Sequence, residues 1–358
     1  MITSFNIKGF KCFESVEFEL AACTLLTGSN GTGKSSFIQA LLLASLSEGG
    51  ASLVPLNGGV YGFSMGRAVD ILRGGDIGLE VVSSKGNYAC TMRGPDEALV
   101  LEVLTRKSIG ASVIGEIAYL QAERYGPRTA QGMDGASTGS VGVQGEFVGH
   151  VLAHKERLEV DPLRCWIDER EGQTARTLAK QVEAWMQQLV PGIEIRVQAF
   201  PDLDATSIRL RRVGQSTDWL RAPNIGFGLS YVLPIVVAGL VANPGSVFVV
   251  ENPEAHLHPR GQSFIGRFLS RIAAAGVQVI IETHSEHVLN GLRLAVVEDS
   301  EPISAERLKV LHFTMPGGKL NVENIGITTK GGFTSDPAEF FDQTEQDLAA
   351  LLKARRRV

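Results

Sequence analysis

Gly28-Ser29-Asn30-Gly31-Thr32-Gly33-Lys34-Ser35-Ser36 decides how this chain is read. The spacing is that of a phosphate-binding P-loop. Glycines let successive backbone N–H groups turn inward around a β-phosphate, a lysine reaches the β- and γ-oxygens, and a serine hydroxyl ligates Mg²⁺. The flanks agree with this. Thr24-Leu25-Leu26-Thr27 is short, apolar and β-competent, and Phe37-Ile38-Gln39-Ala40-Leu41-Leu42-Leu43-Ala44 is helical in composition. Strand, glycine turn and helix follow in the order the chemistry needs, with the positive end of the helix aimed at the anion. The ligand implied is ATP with Mg²⁺. Asn30, Gly31, Thr32, Gly33, Lys34, Ser35 and Ser36 are the candidate contacts, and Ser35 is also a metal candidate.

A second set of chemistry-bearing residues lies far along the chain. In Ser246-Val247-Phe248-Val249-Val250-Glu251-Asn252-Pro253-Glu254-Ala255-His256-Leu257-His258-Pro259 a buried strand runs into acids. Ligands of open α/β sheets collect at the carboxyl ends of parallel strands, which makes Glu251 the candidate metal-side carboxylate. Val277-Gln278-Val279-Ile280-Ile281 is a second apolar run, ending in Glu282-Thr283-His284-Ser285, where His284 is placed to sense a γ-phosphate. Between the P-loop and these strands lies Pro223-Asn224-Ile225-Gly226-Phe227-Gly228-Leu229-Ser230-Tyr231, a glycine turn entering an apolar helix. Such a helix start is an anion site. Because the P-loop holds its own nucleotide, the natural anion for Gly226, Gly228 and Ser230 is the γ-phosphate bound to another subunit.

The chain has 358 residues, 44% of them hydrophobic, enough for one large domain or two lobes. With 34 basic and 39 acidic residues the net charge is −5, so no global field draws it to nucleic acid. A local DNA or RNA face stays open at Arg209-Leu210-Arg211-Arg212 and Lys353-Ala354-Arg355-Arg356-Arg357, although a solvated helix end is the blander reading of both. Cys12, Cys23, Cys90 and Cys165 are widely spaced with no CxxC pair, as for buried thiols in a reducing cytoplasm. No secretory leader opens the sequence, and no apolar run reaches the ~18–20 residues of a membrane span. A soluble, cytoplasmic protein is expected.

Residues 1–125 read as an N-terminal ATPase half. It has a β-rich opening whose core candidates are Phe10, Phe13, Val16, Phe18 and Leu20, then the P-loop, then further strands of an antiparallel layer. Residues 126–222 read as a glycine-rich mobile loop (126–145) and a helical lobe running from Phe147 to Leu189. Residues 223–358 read as the C-terminal half. The expected class is α/β, a P-loop NTPase with a mixed central sheet, an antiparallel β layer and a helical lobe. No heptad pattern between Lys34 and Glu251 supports a long coiled-coil arm.

The order P-loop, GFGLS turn, ENPEAHLHP strand end and ETHS strand end resembles the ABC-type ATPases of the SMC, RecF and OLD branch. Within it, the chain is most similar to bacterial AAA-type ATPases of unknown function, which it also resembles in the tail Gly331-Gly332-Phe333 and Phe340-Phe341-Asp342-Gln343. The resemblance implies a head-to-tail homodimer sandwiching two ATP molecules. Lys34, Ser35 and Glu251 would lie on one face, with Gly226, Gly228 and Ser230 of the opposite subunit closing the site. It makes Ala255–His258 the D-loop at the dimer seam and Gln121 a candidate Q-loop residue near Mg²⁺, a plain polar turn residue being the alternative. Two departures stand out. Where the family keeps a catalytic glutamate after the metal-binding acid, this chain has Asn252, which cannot take a proton from water, so hydrolysis is slow unless Glu254 supplies the base. GFGLS also replaces the usual signature. Three uses follow: a regulatory ATPase gating a separate effector such as a nuclease, as in antiphage modules; a RecF-like DNA clamp; or a non-hydrolysing ATP-held scaffold.

Overall fold

The computed structural model describes residues 1–358 except 135–138, 168–174, 215–217, 225, 299–302, 336–339, 342–346, 349 and 354–358. Its centre is a six-stranded sheet in the order Ile117–Leu120, Val247–Glu251, Gln278–Glu282, Cys23–Gly28, Leu308–Thr314, Asn321–Gly326. The first five strands are parallel to one another and the last is antiparallel. Side chains alternate across a strand. Thus Val247, Val249 and Ile280 enter one apolar cluster, while Phe248, Val250, Val279 and Ile281 enter the other. Both faces are covered, which is why these strands read as unbroken β-branched runs.

The helices that bear on the site and its packing are α1 Lys34–Glu48, α2 Ala68–Ile71, α3 Val148–Lys155, α4 Leu178–Gln187, α5 Phe227–Val241, α6 Pro259–Ala274 and α7 Glu286–Val297. Helix α1 is buried around its circumference, through Phe37, Ile38, Ala40, Leu41, Leu42, Leu43 and Ala44. It is held between the central sheet and a second, antiparallel sheet in which Ile2–Phe10 pairs with Phe13–Glu19 and Ile77–Ser83, followed by Gly86–Arg93, Val100–Ile109 and Leu53–Pro55. Phe10, Phe13, Phe18 and Leu20 are buried as expected, and Val16 is half-buried. The mixed central sheet and antiparallel layer are those expected from the sequence.

The opposite face carries α3 to α7. The expected helical run from Phe147 to Leu189 is broken. Helix α3 stops at Lys155, a single 3₁₀ turn spans Pro162–Arg164, and α4 begins at Leu178. A hairpin, Ile193–Phe200 with Ala205–Arg212, adds a small antiparallel sheet that the sequence reading did not resolve. The basic run Arg209–Arg212 lies on this hairpin rather than on a helix; Arg211 is paired with Glu194 and stacked on Trp219. Most of the terminal basic run lies outside the described residues. Part of the glycine-rich stretch is tied down: Gln131–Gly132 pairs with the hairpin, and the carbonyls of Val143 and Gln144 accept from Gln121 and Tyr125. The longest described helix, α6, has 16 residues. No described helix is long and apolar enough to cross a membrane. Of the tail residues, Phe340 is buried against Phe333 and His312, while Asp342 and Gln343 lie outside the described residues.

Candidate nucleotide site

The register of the parallel strands brings the two distant motifs to one edge. Glu251 lies opposite Glu282, Glu282 opposite Leu26, and Phe313 opposite Gly28, so both acids flank the entry to the P-loop. Gly28 has φ +132° and a Cβ there would stand 2.0 Å from the Phe313 carbonyl oxygen, so both conformation and space exclude a side chain. Gly31, with φ +76°, has open space around it and is set by conformation alone. Asn30 and Gly31 are exposed at the tip, and Thr32 donates its hydroxyl to the Ser29 carbonyl at 2.8 Å. Lys34 is 3% exposed and its ammonium donates to the carbonyls of Gly28 (2.9 Å) and Ser29 (2.8 Å). Burial lowers its pKa and the Glu282 charge opposes that. The lysine is thus folded over the loop, with donors that a phosphate can take from two neutral carbonyls. Ser36 lies beside the Cys12 thiol.

Ser35 donates its hydroxyl to Glu282 Oε1 at 3.0 Å. The other oxygen of Glu282 is buried with no hydrogen-bond partner, and burial together with the Glu251 charge pushes this carboxyl up to about 7. Glu251 is held by the Tyr119 hydroxyl (2.8 Å) and the Ala122 N–H (3.2 Å), and burial raises its pKa as well. Asn252 has φ +43°, its N–H donates to the Glu282 carbonyl, and its Oδ1 is buried without a partner. The partnerless Glu282 oxygen, on the carboxylate that holds the Ser35 hydroxyl and faces Glu251, fits a hard, oxygen-seeking cation. Among the described residues no three His, Cys, Asp or Glu side chains are grouped to hold a metal by themselves. Mg²⁺ is commonly held by one or two carboxylates together with the phosphates of a substrate.

Glu254 accepts from the Thr283 hydroxyl (2.7 Å) and the His284 N–H (2.9 Å), so it clamps the segment that carries His284. His284 is exposed as a residue; partial desolvation of its ring and the Lys34 charge lower its pKa, and the Glu254 charge opposes them. Arg124 is 2% exposed and donates to the carbonyls of Gln121, Glu251 and Asn252 at 2.8, 2.6 and 2.7 Å. It ties the end of the edge strand to the acidic turn. Gln121 follows that strand directly, with its side-chain oxygen toward Gly62.

The glycine turn sits elsewhere. Gly226 is exposed at the start of α5, and a Cβ on Gly228 would stand 2.8 Å from the His256 carbonyl oxygen. Gly226 and Gly228 line a cavity of about 720 Å³ with His256, His258, Arg212 and Arg260, and no P-loop residue borders it. Ser230 lies one turn further into α5, and the Tyr231 ring lies tilted at 59° against His256, centroids 4.5 Å apart. The P-loop, Glu251, Asn252, Glu254 and His284 therefore converge, while Gly226 and Gly228 face a separate surface beside His256–His258 and Ser230 lines a small pocket with Arg128, Gln131 and Val148. Glu282, Tyr119 and Arg124 were not singled out from sequence, although Glu282 ends its buried strand just as Glu251 does.

Two family profiles match the chain: "AAA domain, putative AbiEii toxin, Type IV TA system" over residues 181–290, and "AAA ATPase domain" over residues 1–52. No curated protein matches. Among solved structures, an SMC head bound to the C-winged helix domain of ScpA is 13% identical with a TM-score of 0.57, covering 91% of this chain and 97% of that one. The SMC head domain with an extended coiled coil bound to the C-terminal domain of ScpA, derived from Pyrococcus furiosus, is 11% identical with a TM-score of 0.55, covering 99% of each. In fold the chain is thus similar to the SMC-head P-loop ATPases, and its two AAA matches fall on the segments that bear the P-loop and the acidic strand.

Proposed function

We propose that this protein is a Mg-ATP-binding ATPase of slow intrinsic turnover, whose ATP-driven head-to-tail homodimerisation regulates a separate effector, such as a nuclease, in an antiphage or toxin-like module. The observation that carries this reading is the split of the anion-binding groups. The P-loop, Glu251, Glu282 and His284 converge at one sheet edge, while the start of α5 faces another surface beside His256. A phosphate on Lys34 then needs a second copy of the chain to meet Gly226, Gly228 and Ser230.

Lys34 exchanges its carbonyl partners for β- and γ-oxygens, Ser35 turns its lone pairs to Mg²⁺, and His284 holds the γ-phosphate. Ser35, Glu282 and Glu251 would hold Mg²⁺ here, and the ion would supply neutralisation of phosphate charge. Asn252 supports slow turnover, because an amide orients water but does not deprotonate it. Glu254, two residues on, is the candidate base. The matched description that mentions a type IV toxin–antitoxin system supports a regulatory module, and SMC heads described with ScpA bound support docking of a second protein on such a head.

The test is sedimentation of the purified chain with and without Mg-ATP, beside Lys34→Ala. Wild type shifts from monomer to dimer with nucleotide and Lys34→Ala does not. A mass indifferent to ATP at tens of micromolar protein refutes the proposal.

A further inference from the structure

Of the two strand-end acids, one has no role in the sequence reading, yet it is the one in contact with the P-loop. Ser35 Oγ donates to Glu282 Oε1 at 3.0 Å, whereas both oxygens of Glu251 are taken by Tyr119 and Ala122. Glu282 is 6% exposed, and its second oxygen has no partner. The two acids stand at the same register on adjacent parallel strands, about 4.8 Å apart as such strands are. Two buried carboxylates at that spacing repel unless a cation lies between them.

We propose that Glu282 is the positioning residue for the nucleotide-bound divalent cation: it accepts the Ser35 hydroxyl hydrogen bond, fixes the lone pairs of that hydroxyl toward the metal, and with Glu251 makes a two-carboxylate site. A serine hydroxyl has one proton and two lone pairs. Once the proton is committed to Glu282, both lone pairs are left for the cation side, as with the outer partners that orient metal ligands elsewhere. This inference rests on the P-loop binding a nucleotide, and it adds that the strand bearing His284 supplies part of the cation site. Loss of the γ-phosphate and a shift of the cation would then both be felt by the same Glu282–His284 segment.

The experiment uses Mn²⁺ as the probe, with the full chain and ADP, reading free Mn²⁺ by electron paramagnetic resonance. Nucleotide affinity in EDTA is measured in parallel. Glu282→Gln keeps an acceptor for Ser35 but no charge; Glu282→Asp keeps the charge on a shorter arm. The expected result is that Glu282→Gln holds ADP in EDTA within about twofold of wild type while Mn²⁺ affinity falls about 10- to 100-fold. Glu282→Asp, measured on protein with a wild-type circular dichroism spectrum, retains more of that affinity than Glu282→Gln. If Glu282→Gln binds Mn²⁺ like wild type, or Glu282→Asp is the weaker of the two, the inference is overturned while the nucleotide site stands. If wild type itself binds no ADP, the P-loop reading falls as well.

Discussion

Replacing Glu282 by glutamine should change how stability depends on pH, and the size follows from the site. The carboxyl titrates at about 7 in the fold against 4.5 unperturbed, because it is buried and faces Glu251. A carboxyl whose folded pKa is raised favours the native state while protonated. Its contribution is therefore complete below about pH 4.5 and is lost as pH rises through about 7. The gap between the two values corresponds to about 3 kcal/mol. Unfolding entropy near 2.1 cal/mol/K per residue, over 358 residues, turns that into about 4 °C of Tm. The assay is calorimetry in EDTA without nucleotide, comparing wild type with Glu282→Gln at about pH 5 and about pH 8. Any pH-independent cost of the buried amide cancels in the comparison, as do the histidines common to both proteins. Between about pH 5 and about pH 8 most of that Tm change is realised, so wild type should lose about 3 °C relative to the variant. An equal Tm difference at both pH values would refute the argument that this carboxyl is buried against a like charge. The same pair predicts that Mg-nucleotide stabilises wild type more at about pH 8 than at about pH 5, since the cation competes with the proton.

Asn252→Glu should raise hydrolysis about tenfold or more by restoring a base after the metal-side acid, at a cost of about 1 kcal/mol because the position has φ +43°; steady-state turnover checks it, and an unchanged rate removes Asn252 from the water's path. Arg124→Met should destabilise the fold by about 3 kcal/mol, since three part-buried carbonyls lose a charged donor, measured by urea unfolding; a change under about 1 kcal/mol would mean that the arginine is not a brace.

Legibility tracked the distance over which a pattern acts. The P-loop, its strand and α1 lie within 26 consecutive residues, and steric demands at Gly28 and Gly31 act locally, so the motif could be read directly. The parallel strands were visible because burial on both faces leaves unbroken apolar runs at Val247–Val250 and Val279–Ile281. Which acid meets Ser35 was not visible. It depends on the register between two strands joined by α6, and no local pattern in the chain encodes that register. The hairpin Ile193–Phe200 and Ala205–Arg212 was hidden for another reason. Its strands do alternate, as Ile193-Glu194-Ile195-Arg196-Val197-Gln198 and Ile208-Arg209-Leu210-Arg211, but the arginines and short length mask that period, and α3 and α4 pack on the hairpin. The glycine-rich stretch misleads in the same way: its hydrogen bonds are made with Gln121 and Tyr125, outside it.

The central claim, a nucleotide site completed by a second copy, is tested most directly by mixing two inactive variants. Lys34→Ala lacks the P-loop cation and keeps α5; Ser230→Arg, verified as folded, blocks the start of α5 and keeps the P-loop. Separately, both should be inactive in ATP hydrolysis. Mixed at equal concentration, half of the dimers are heterodimers with one intact composite site of two, so activity should return to about a quarter of wild type. If the mixture stays as inactive as its components, or if Ser230→Arg alone hydrolyses ATP normally, the site is complete within one chain and the account is wrong.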